Sequence, residues 1–283
     1  MVTKKTSSGK SAAGAQLGNY ALITGASSGI GLALAQKLAA KGYDVILVAR
    51  SVDKLQALAR ELSARHGVKA QVAAADLTQT ASVQNLATLL QRQGISIRVL
   101  VNCAGVLHQD AFIKMQAEQV QQMIDLNITA LTAMLHAMLP MMVNHVAEQG
   151  GKAHVLNVAS IAAFQPIPML AAYAASKAYV LSLSESLAEE LQGTGVSVTT
   201  LCPGITATNM LAQAKGANDK LSQLPSFLIA DVHDVAQTAI EATLRGDAIC
   251  VPGAVNQLGM LASRSTPKWL VRKVGGLLGR RAL

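Results

Sequence analysis

Aromatic side chains are scarce in this sequence, since Phe, Trp and Tyr make up only 3% of its 283 residues. Proteins that bind single-stranded nucleic acids stack bases on such side chains, so their scarcity argues against that class. The three cysteines, Cys103, Cys202 and Cys250, show no C-x-x-C spacing, which argues against a disulfide framework and a zinc ribbon. The six histidines form no H-x-x-x-H pair, so the sequence predicts no catalytic metal.

Charged residues are also few, at 14%, while 51% of residues are hydrophobic, a balance that excludes intrinsic disorder for most of the chain. The net charge of +8 comes from the two ends. Three lysines lie within the first ten residues, and six basic residues follow the last acid, Asp247. The region between them is nearly balanced, with 15 basic and 16 acidic residues. The basic character therefore does not indicate a nucleic-acid-binding domain.

No secretory signal is visible, because the N-terminal residues lack a continuous apolar stretch. Residues 1–17 are interpreted as a flexible basic arm, with a weak transit sequence or an expression remnant as open alternatives. The longest uncharged apolar run, 126–147, contains Asn127, Pro140 and His145, which are costly in hydrocarbon. A core or interface helix is therefore favoured over a membrane span, and the expected location is cytoplasmic.

Short apolar runs alternate with segments of helical periodicity. The strand candidates are 21–24, 45–49, 70–74, 99–102, 154–158, 196–201 and 248–251, and the clearest helical segments are 32–41, 54–66, 83–93 and 115–146. Continuous apolar strands separated by helices are typical of a parallel sheet that is covered on both faces. We predict one α/β domain over 18–262, a doubly wound, Rossmann-type fold with about seven parallel strands.

A glycine-rich turn follows the first predicted strand. Gly25, Gly29 and Gly31 have the spacing G-x-x-x-G-x-G where that strand passes into a helix. Glycine there permits a tight turn and lets a phosphate approach the amides at the helix N-terminus. The spacing differs from the usual dinucleotide pattern G-x-G-x-x-G, so a glycine-rich turn without a ligand is the alternative.

The end of the second predicted strand indicates which dinucleotide would bind. An NAD site usually places an acid there, but Asp44, which lies at about the right sequence distance, precedes the strand. Arg50 occupies the carboxyl end instead, and a cation suits the 2′-phosphate of NADP(H). The alternative is a solvated arginine that opens the next helix.

Two further segments carry side chains suited to acid/base chemistry. In YAASK, Tyr173 and Lys177 are four residues apart, so a helix places them on one face, and the ammonium is expected to lower the tyrosine pKa. Ser160 follows the fifth predicted strand, where its hydroxyl could hydrogen-bond a substrate oxygen. A plain amphipathic helix face and a serine cap are the alternatives.

In chain order, these and further motifs resemble the classical short-chain dehydrogenases/reductases over about residues 18–255. The matching motifs are TGASSGIG at 24–31, Asp76-Leu77, NCAG at 102–105, Asn127 in DLNITA, Ser160, YAASK, and Pro203-Gly204 with Thr208. The resemblance implies an acid/base role for Tyr173, substrate polarisation by Ser160, ribose contact by Lys177 and a water-holding role for Asn127. The cofactor-binding residues it implies are Gly25, Ser27, Ser28, Gly29, Ile30, Gly31, Arg50, Asp76, Leu77, Asn102, Ala104, Gly105, Tyr173, Lys177, Pro203, Gly204 and Thr208.

The sequence thus predicts an NADP(H)-dependent oxidoreductase that interconverts a small-molecule carbonyl and a secondary alcohol. A nucleotide-binding sensor or interaction protein with little turnover is the alternative from another class. The apolar side chains of 161–170 and 205–229 favour an apolar or amphipathic substrate, such as an acyl chain or a polycyclic ketone. The resemblance also implies a homodimer or homotetramer, built on helices within 115–146 and 173–191.

The end of the chain, 263–283, is predicted to be a basic amphipathic extension. Its apolar residues Leu270, Val274, Leu277 and Leu278 follow a helical period between five cations. Docking on the body or on a neighbouring subunit is favoured, with peripheral contact at an anionic membrane surface as the minority hypothesis.

Overall fold

The computed structural model describes residues 19–207 and 229–265. The predicted N-terminal arm, Thr208, most of the segment 205–229 and the segment 267–283 lie outside these ranges. The strands are β1 Tyr20–Thr24, β2 Asp44–Ala49, β3 Ala70–Ala74, β4 Ile97–Asn102, β5 Ala153–Val158, β6 Val196–Leu201 and β7 Ile249–Cys250. The helices are α1 Gly29–Ala40, α2 Val52–His66, α3 Thr80–Arg92, α4 Ala117–Ile124, α5 Leu131–Gln149, α6 Ala171–Glu190, α7 Val232–Arg245 and α8 Ala254–Ser265.

All seven strands pair in parallel, in the order β3-β2-β1-β4-β5-β6-β7. The predicted doubly wound fold is confirmed, and the predicted strands agree with the observed ones to within two residues at each end. The strand order reverses between β1 and β4, because the chain leaves β3 at one edge and returns beside β1. Ligands of such sheets bind at the carboxyl ends of the strands near this point.

Alternating strand residues divide the core between the two faces of the sheet. On one face, Leu22 and Leu100 pack with helices α3, α5 and α6, to which Met134, Met138 and Val180 belong. On the other face, strand residues including Ile23, Val45 and Val99 pack with α1, α2 and α7. Fully burying each such aliphatic side chain contributes roughly 1.5–3 kcal/mol, so both layers hold the strand ends in place.

The long helix predicted over 115–146 is observed as one helical run, 117–149, which contains a π-helical turn. A short 3-10 helix, Phe112–Lys114, precedes it, and α4 begins only at Ala117. Between α4 and α5 the backbone forms a π-helical turn, Asp125–Ala130. The combined run 117–149 is long and apolar enough to cross a membrane by length and composition. Its buried methionines nevertheless pack on the sheet, as a core helix requires.

Candidate active site

One cavity of about 550 Å³ opens along the carboxyl ends of β1 to β6. The glycine-rich loop, the end of β2 with Arg50, and residues 75–78 after β3 line one half. Residues 103–107 after β4, 158–162 after β5 and 203–206 after β6 line the other half, together with Tyr173 and Lys177. The sequence-predicted motifs therefore meet at one edge of the sheet.

The backbone of the glycine-rich loop explains its composition. Gly25 has a φ of +70°, which favours glycine, and a Cβ there would approach the Ala104 backbone to 3.0 Å. A Cβ on Gly31 would lie 2.3 Å from the Gly25 carbonyl oxygen. Thr24 connects this loop to the segment that follows β4, because its Oγ1 accepts hydrogen bonds from the backbone amides of Cys103 and Ala104 at 3.0 and 3.1 Å.

Other predicted cofactor residues take distinct positions along the cavity. Ser27, Ser28, Gly29, Ile30, Leu77, Gly105, Pro203 and Gly204 also line it. Arg50 lines it with an exposed side chain. Asp44 lies at the opposite end of β2, where its carboxylate accepts a 2.8 Å hydrogen bond from the Lys69 amide. At the carboxyl end of β2, the charged side chain that lines the cavity is therefore Arg50 and not Asp44.

Asp76 begins the loop after β3 and borders the same half of the cavity as Arg50. Its Oδ1 accepts hydrogen bonds from Thr78 Oγ1 at 2.8 Å and from the Thr78 amide at 3.1 Å. The hydrogen bonds from Thr78, chiefly that of the hydroxyl, lower the Asp76 pKa, and the Arg50 charge acts in the same direction. The carboxylate is therefore fixed in its ionised form beside the cavity.

Asn102, which the sequence predicts as a cofactor-binding residue, is not among the residues that line the cavity. It is 3% exposed and donates a 2.9 Å hydrogen bond to Asn157 Oδ1. Asn157 donates in turn to Ser184 Oγ at 2.9 Å, and Ser184 donates to the Val180 carbonyl. This buried chain links β4, β5 and α6, so Asn102 helps to hold the sheet against the helix that carries Tyr173.

Tyr173 and Ser160 face each other at the end of β5. Ser160 follows that strand and caps a 3-10 helix, Ile161–Phe164, by accepting a 3.1 Å hydrogen bond from the Ala162 amide. Burial raises the Tyr173 pKa, while a hydrogen bond from Ser160 opposes the shift. The sequence-based expectation that the Lys177 ammonium lowers the tyrosine pKa stays a prediction. The effect of burial, which raises the Tyr173 pKa, is larger than the lowering effect of the Ser160 hydrogen bond.

Lys177 is almost fully buried, one helical turn from Tyr173 on α6. Its Nζ donates a 2.9 Å hydrogen bond to the Val158 carbonyl at the end of β5 and lies 5.8 Å from the centre of the Tyr173 ring. Burial lowers the Lys177 pKa to about 8. The predicted pair therefore shares one helix face beside the cavity, with the ammonium anchored to the sheet.

Asn127 lies in the π-helical turn and is 1% exposed behind the cavity wall. A Cβ on Gly105 would lie 3.2 Å from Asn127 Oδ1 and 3.5 Å from Lys177 Nζ, so the predicted tetrad is brought together. Both amide hydrogens of Asn127 are occupied, because Nδ2 donates to the Val106 carbonyl at 2.9 Å and to Ser176 Oγ at 3.1 Å. The amide nitrogen of Asn127 thus hydrogen-bonds two neighbouring protein groups, the Val106 carbonyl and the Ser176 hydroxyl.

Sequence reasoning missed a second group of cavity residues. The residues it missed include Val106, Leu107, Gln109, Gln122 and Leu126. The lining residues Ile167, Leu170, Ile205 and Thr206 lie in the segments 161–170 and 205–229, which the sequence predicts beside the substrate. Apolar members of this group pack with Met123, Ala162 and Tyr173 in a small cluster of their own. No motif marks them, because they reach the cavity through loop conformation and the orientation of α4. In the described ranges, no cluster of His, Cys, Asp or Glu could hold a metal ion.

The cavity has the features that a nicotinamide dinucleotide requires. Gly25 and Gly31 leave the loop without side chains where a pyrophosphate would approach the N-terminus of α1. Arg50 and Asp76 lie at the β2–β3 side, and Tyr173 and Lys177 lie across the strand-order reversal. The residues present therefore fit such a cofactor.

Comparison with known proteins places the chain in a family. Residues 19–219 match the short chain dehydrogenase family. The chain is 32% identical to a short-chain dehydrogenase from Sphingobium yanoikuyae in complex with NADPH, with a TM-score of 0.75 and coverage of 87% of this chain and 93% of that one. A bulky-bulky ketone specific alcohol dehydrogenase from Comamonas testosteroni is 29% identical, with a TM-score of 0.71 and coverage of 88% and 93%. The very-long-chain 3-oxoacyl-CoA reductase of Anas platyrhynchos is 34% identical over 75% of this chain and 67% of its own.

These findings define the class of protein. The chain belongs to the short-chain dehydrogenases/reductases, a family of oxidoreductases that act on small-molecule carbonyls and alcohols.

Proposed function

We propose that this protein is an NADPH-dependent reductase of apolar ketones, which also runs in reverse as an alcohol dehydrogenase. The observation that carries the proposal is the meeting of Ser160, Tyr173 and Lys177 at one end of a cavity whose other end presents Arg50. A protein that only binds nucleotides has no need of this acid/base set.

The side chains divide the reaction between them. Ser160 would hydrogen-bond the carbonyl oxygen and fix its position beside the Tyr173 hydroxyl. When bound, NADPH would supply the hydride that adds to the carbonyl carbon. Tyr173 would give its phenolic proton to the carbonyl oxygen as that oxygen gains charge. Lys177, anchored on the Val158 carbonyl, would place a positive charge next to the phenolate that remains.

Arg50 supports the choice of NADPH over NADH. Its exposed guanidinium borders the cavity at the carboxyl end of β2, and Asp44 is held at the other end of that strand. A 2′-phosphate would gain a charge-assisted contact with Arg50 there. No carboxylate at the carboxyl end of β2 lines the cavity to accept a hydrogen bond from a 2′-hydroxyl. The NADPH complex of the Sphingobium relative supports the same choice.

The cavity wall supports an apolar or amphipathic substrate, such as an acyl chain or a polycyclic ketone. Around Tyr173 it is formed mainly by aliphatic side chains, among them Leu107, Leu126, Ile161 and Leu170. A small polar carbonyl compound would leave this surface in contact with water, whereas an alkyl chain or ring would cover it. The names of the ketone- and acyl-directed relatives point in the same direction.

The test is a steady-state screen of ketones, aldehydes and secondary alcohols with NADPH, NADH and their oxidised forms, followed at 340 nm. The proposal expects the highest kcat/KM for hydrophobic ketones with NADPH. Preference for NADH, or for small polar carbonyl compounds, would contradict it. Tight NADPH binding without turnover of any substrate would favour a sensor or interaction protein.

We further propose a homodimer or homotetramer in which α5 and α6 pair with their copies across a twofold axis. Light scattering at micromolar concentration measures the mass, and a monomer would contradict this.

The location expected for such an enzyme is the cytoplasm. The C-terminal extension is tested separately, by co-sedimentation of full-length protein and a chain that ends at Thr266 with anionic vesicles.

A further inference from the structure

The half of the cavity around Tyr173 contains two glutamine side chains that the proposed reaction does not use. They are Gln109, in the loop after β4, and Gln122, in the last turns of α4. The surrounding wall is aliphatic. Among the described residues, Lys177 is the only charged side chain that lines this half. A glutamine in such a wall is suited to binding a polar atom of an otherwise apolar ligand.

Gln122 is held in one orientation by a neighbouring loop. His108 Nε2 lies 2.8 Å from Gln122 Oε1 and donates to it, which requires the proton on Nε2. The oxygen of the glutamine is thereby engaged by protein. Its amide nitrogen has two hydrogens and no hydrogen-bond partner among the described residues. Gln122 therefore offers an unpaired N–H donor in a wall that is mainly aliphatic.

We propose that Gln122 determines substrate specificity by donating a hydrogen bond to a second, uncharged oxygen of the ketone. This inference rests on the proposed ketone reduction and deepens it. It assigns the preferred substrates to apolar ketones that carry an additional keto, ether, ester or hydroxyl oxygen at one separation from the reacting carbonyl. His108 acts through Gln122 and is a positioning residue.

The chemistry of the wall explains why the second oxygen is uncharged. A single amide donor compensates a neutral acceptor, whereas a carboxylate or phosphate would lose most of its hydration in this aliphatic surrounding. The ammonium of Lys177 is engaged by the Val158 carbonyl. A neutral hydrogen bond of this kind changes an affinity or a rate by roughly tenfold.

The experiment compares Gln122→Leu with Gln121→Leu. Leucine keeps much of the glutamine volume and removes the amide. Gln121 lies on the same helix but is exposed and donates to Asp125, so its variant controls for an altered α4 surface. The substrates are straight-chain methyl ketones of one length, in which an ether oxygen replaces successive methylene groups. Each kcat/KM is divided by that of the all-carbon ketone, so a loss of folded protein cancels.

We expect one position of the ether oxygen to raise relative kcat/KM in the wild type and in Gln121→Leu. In Gln122→Leu that advantage falls by about tenfold. Identical profiles in all three proteins would overturn the inference while ketone reduction stands. Calorimetric binding of the same series to the NADPH-loaded protein supplies a readout without turnover. A Gln122-dependent preference in binding without reduction would overturn the proposed function and support this inference, and an absence of both binding and reduction would overturn both.

Discussion

Asn127 donates a 3.1 Å hydrogen bond from Nδ2 to Ser176 Oγ, and Ser176 donates a 2.7 Å hydrogen bond to the Tyr173 carbonyl. The π-helical turn is thus connected to the first turn of α6. Asn127 also accepts from the Val106 amide and donates to its carbonyl, so the loop that lines the cavity joins the same network. A single buried hydroxyl couples this loop to the backbone of the proposed acid/base tyrosine.

Ser176→Ala is therefore expected to reduce kcat by about tenfold with little change in ketone KM, because Tyr173 is less well positioned. Dinucleotide affinity should stay near the wild-type value. Ser184→Ala is the matched control, since Ser184 is equally buried on α6, accepts from an asparagine amide and donates to a backbone carbonyl. Both variants should lose roughly 1–3 kcal/mol of stability. Equal kcat values for the two variants would show that Ser176 is merely structural.

Arg50→Asp is expected to reverse the proposed cofactor preference. A carboxylate repels a 2′-phosphate and accepts from a 2′-hydroxyl, so the ratio of kcat/KM for NADPH to that for NADH should fall by roughly 10- to 100-fold. Arg60→Asp places the same charge change on an exposed position of α2 away from the cavity. An unchanged ratio in Arg50→Asp, or an equal change in Arg60→Asp, would contradict the assignment of the β2 end.

Lys177 should give the stability of the cofactor-free protein a recognisable pH dependence. Burial lowers its folded-state pKa to about 8, while the unfolded chain keeps a value near 10.5. Between these values the unfolded state binds more protons, so the free energy of unfolding should rise with pH from about 8 to 10. Lys177→Met lacks this contribution, and denaturant titrations of both proteins across that range isolate it. Parallel pH profiles would contradict the burial of a titrating ammonium.

Met169 is the one non-glycine residue with positive φ, +70°, in the described ranges. Its carbonyl accepts from the Asp110 amide and so connects the loop before α6 to the loop that contains His108. A Cβ is disfavoured at this φ, and a branched Cβ more so. We therefore expect Met169→Gly to have a higher free energy of unfolding than the wild type, and Met169→Val a lower one. Urea titrations should separate the extremes by about 1–3 kcal/mol. A valine variant as stable as the glycine variant would exclude backbone strain.

The sequence predicts the sheet well because a parallel strand covered on both faces must be apolar throughout, and its carboxyl end then locates the adjoining motif. Ser160 is found for this reason, whereas Tyr173 and Lys177 are found from their four-residue spacing on a helix. The π-helical turn is invisible in the sequence, because it depends on the hydrogen bonds that Asn127 makes to a loop 21 residues away. The same tertiary contact decides which residues of α4 face the cavity, so Gln122 carries no sequence signal.

The asparagine of NCAG illustrates a different limit. The motif correctly locates the strand end, but letters alone do not tell which side of the strand Asn102 faces. Its partner Asn157 lies 55 residues further along the chain, and Asn157 in turn donates to Ser184, which lies 27 residues beyond it. A residue identified by a binding motif thus serves the packing of the strand and helix behind the site.

The central claim is that Tyr173 transfers the proton during ketone reduction. The most direct test measures NADPH oxidation by the wild type and by Tyr173→Phe with the best ketone found in the screen, together with NADPH binding to both proteins. The account predicts a fall in kcat of about 10²- to 10⁴-fold with cofactor affinity retained, because one hydroxyl is removed and the ring stays packed. Turnover by Tyr173→Phe within a few-fold of the wild type would contradict it.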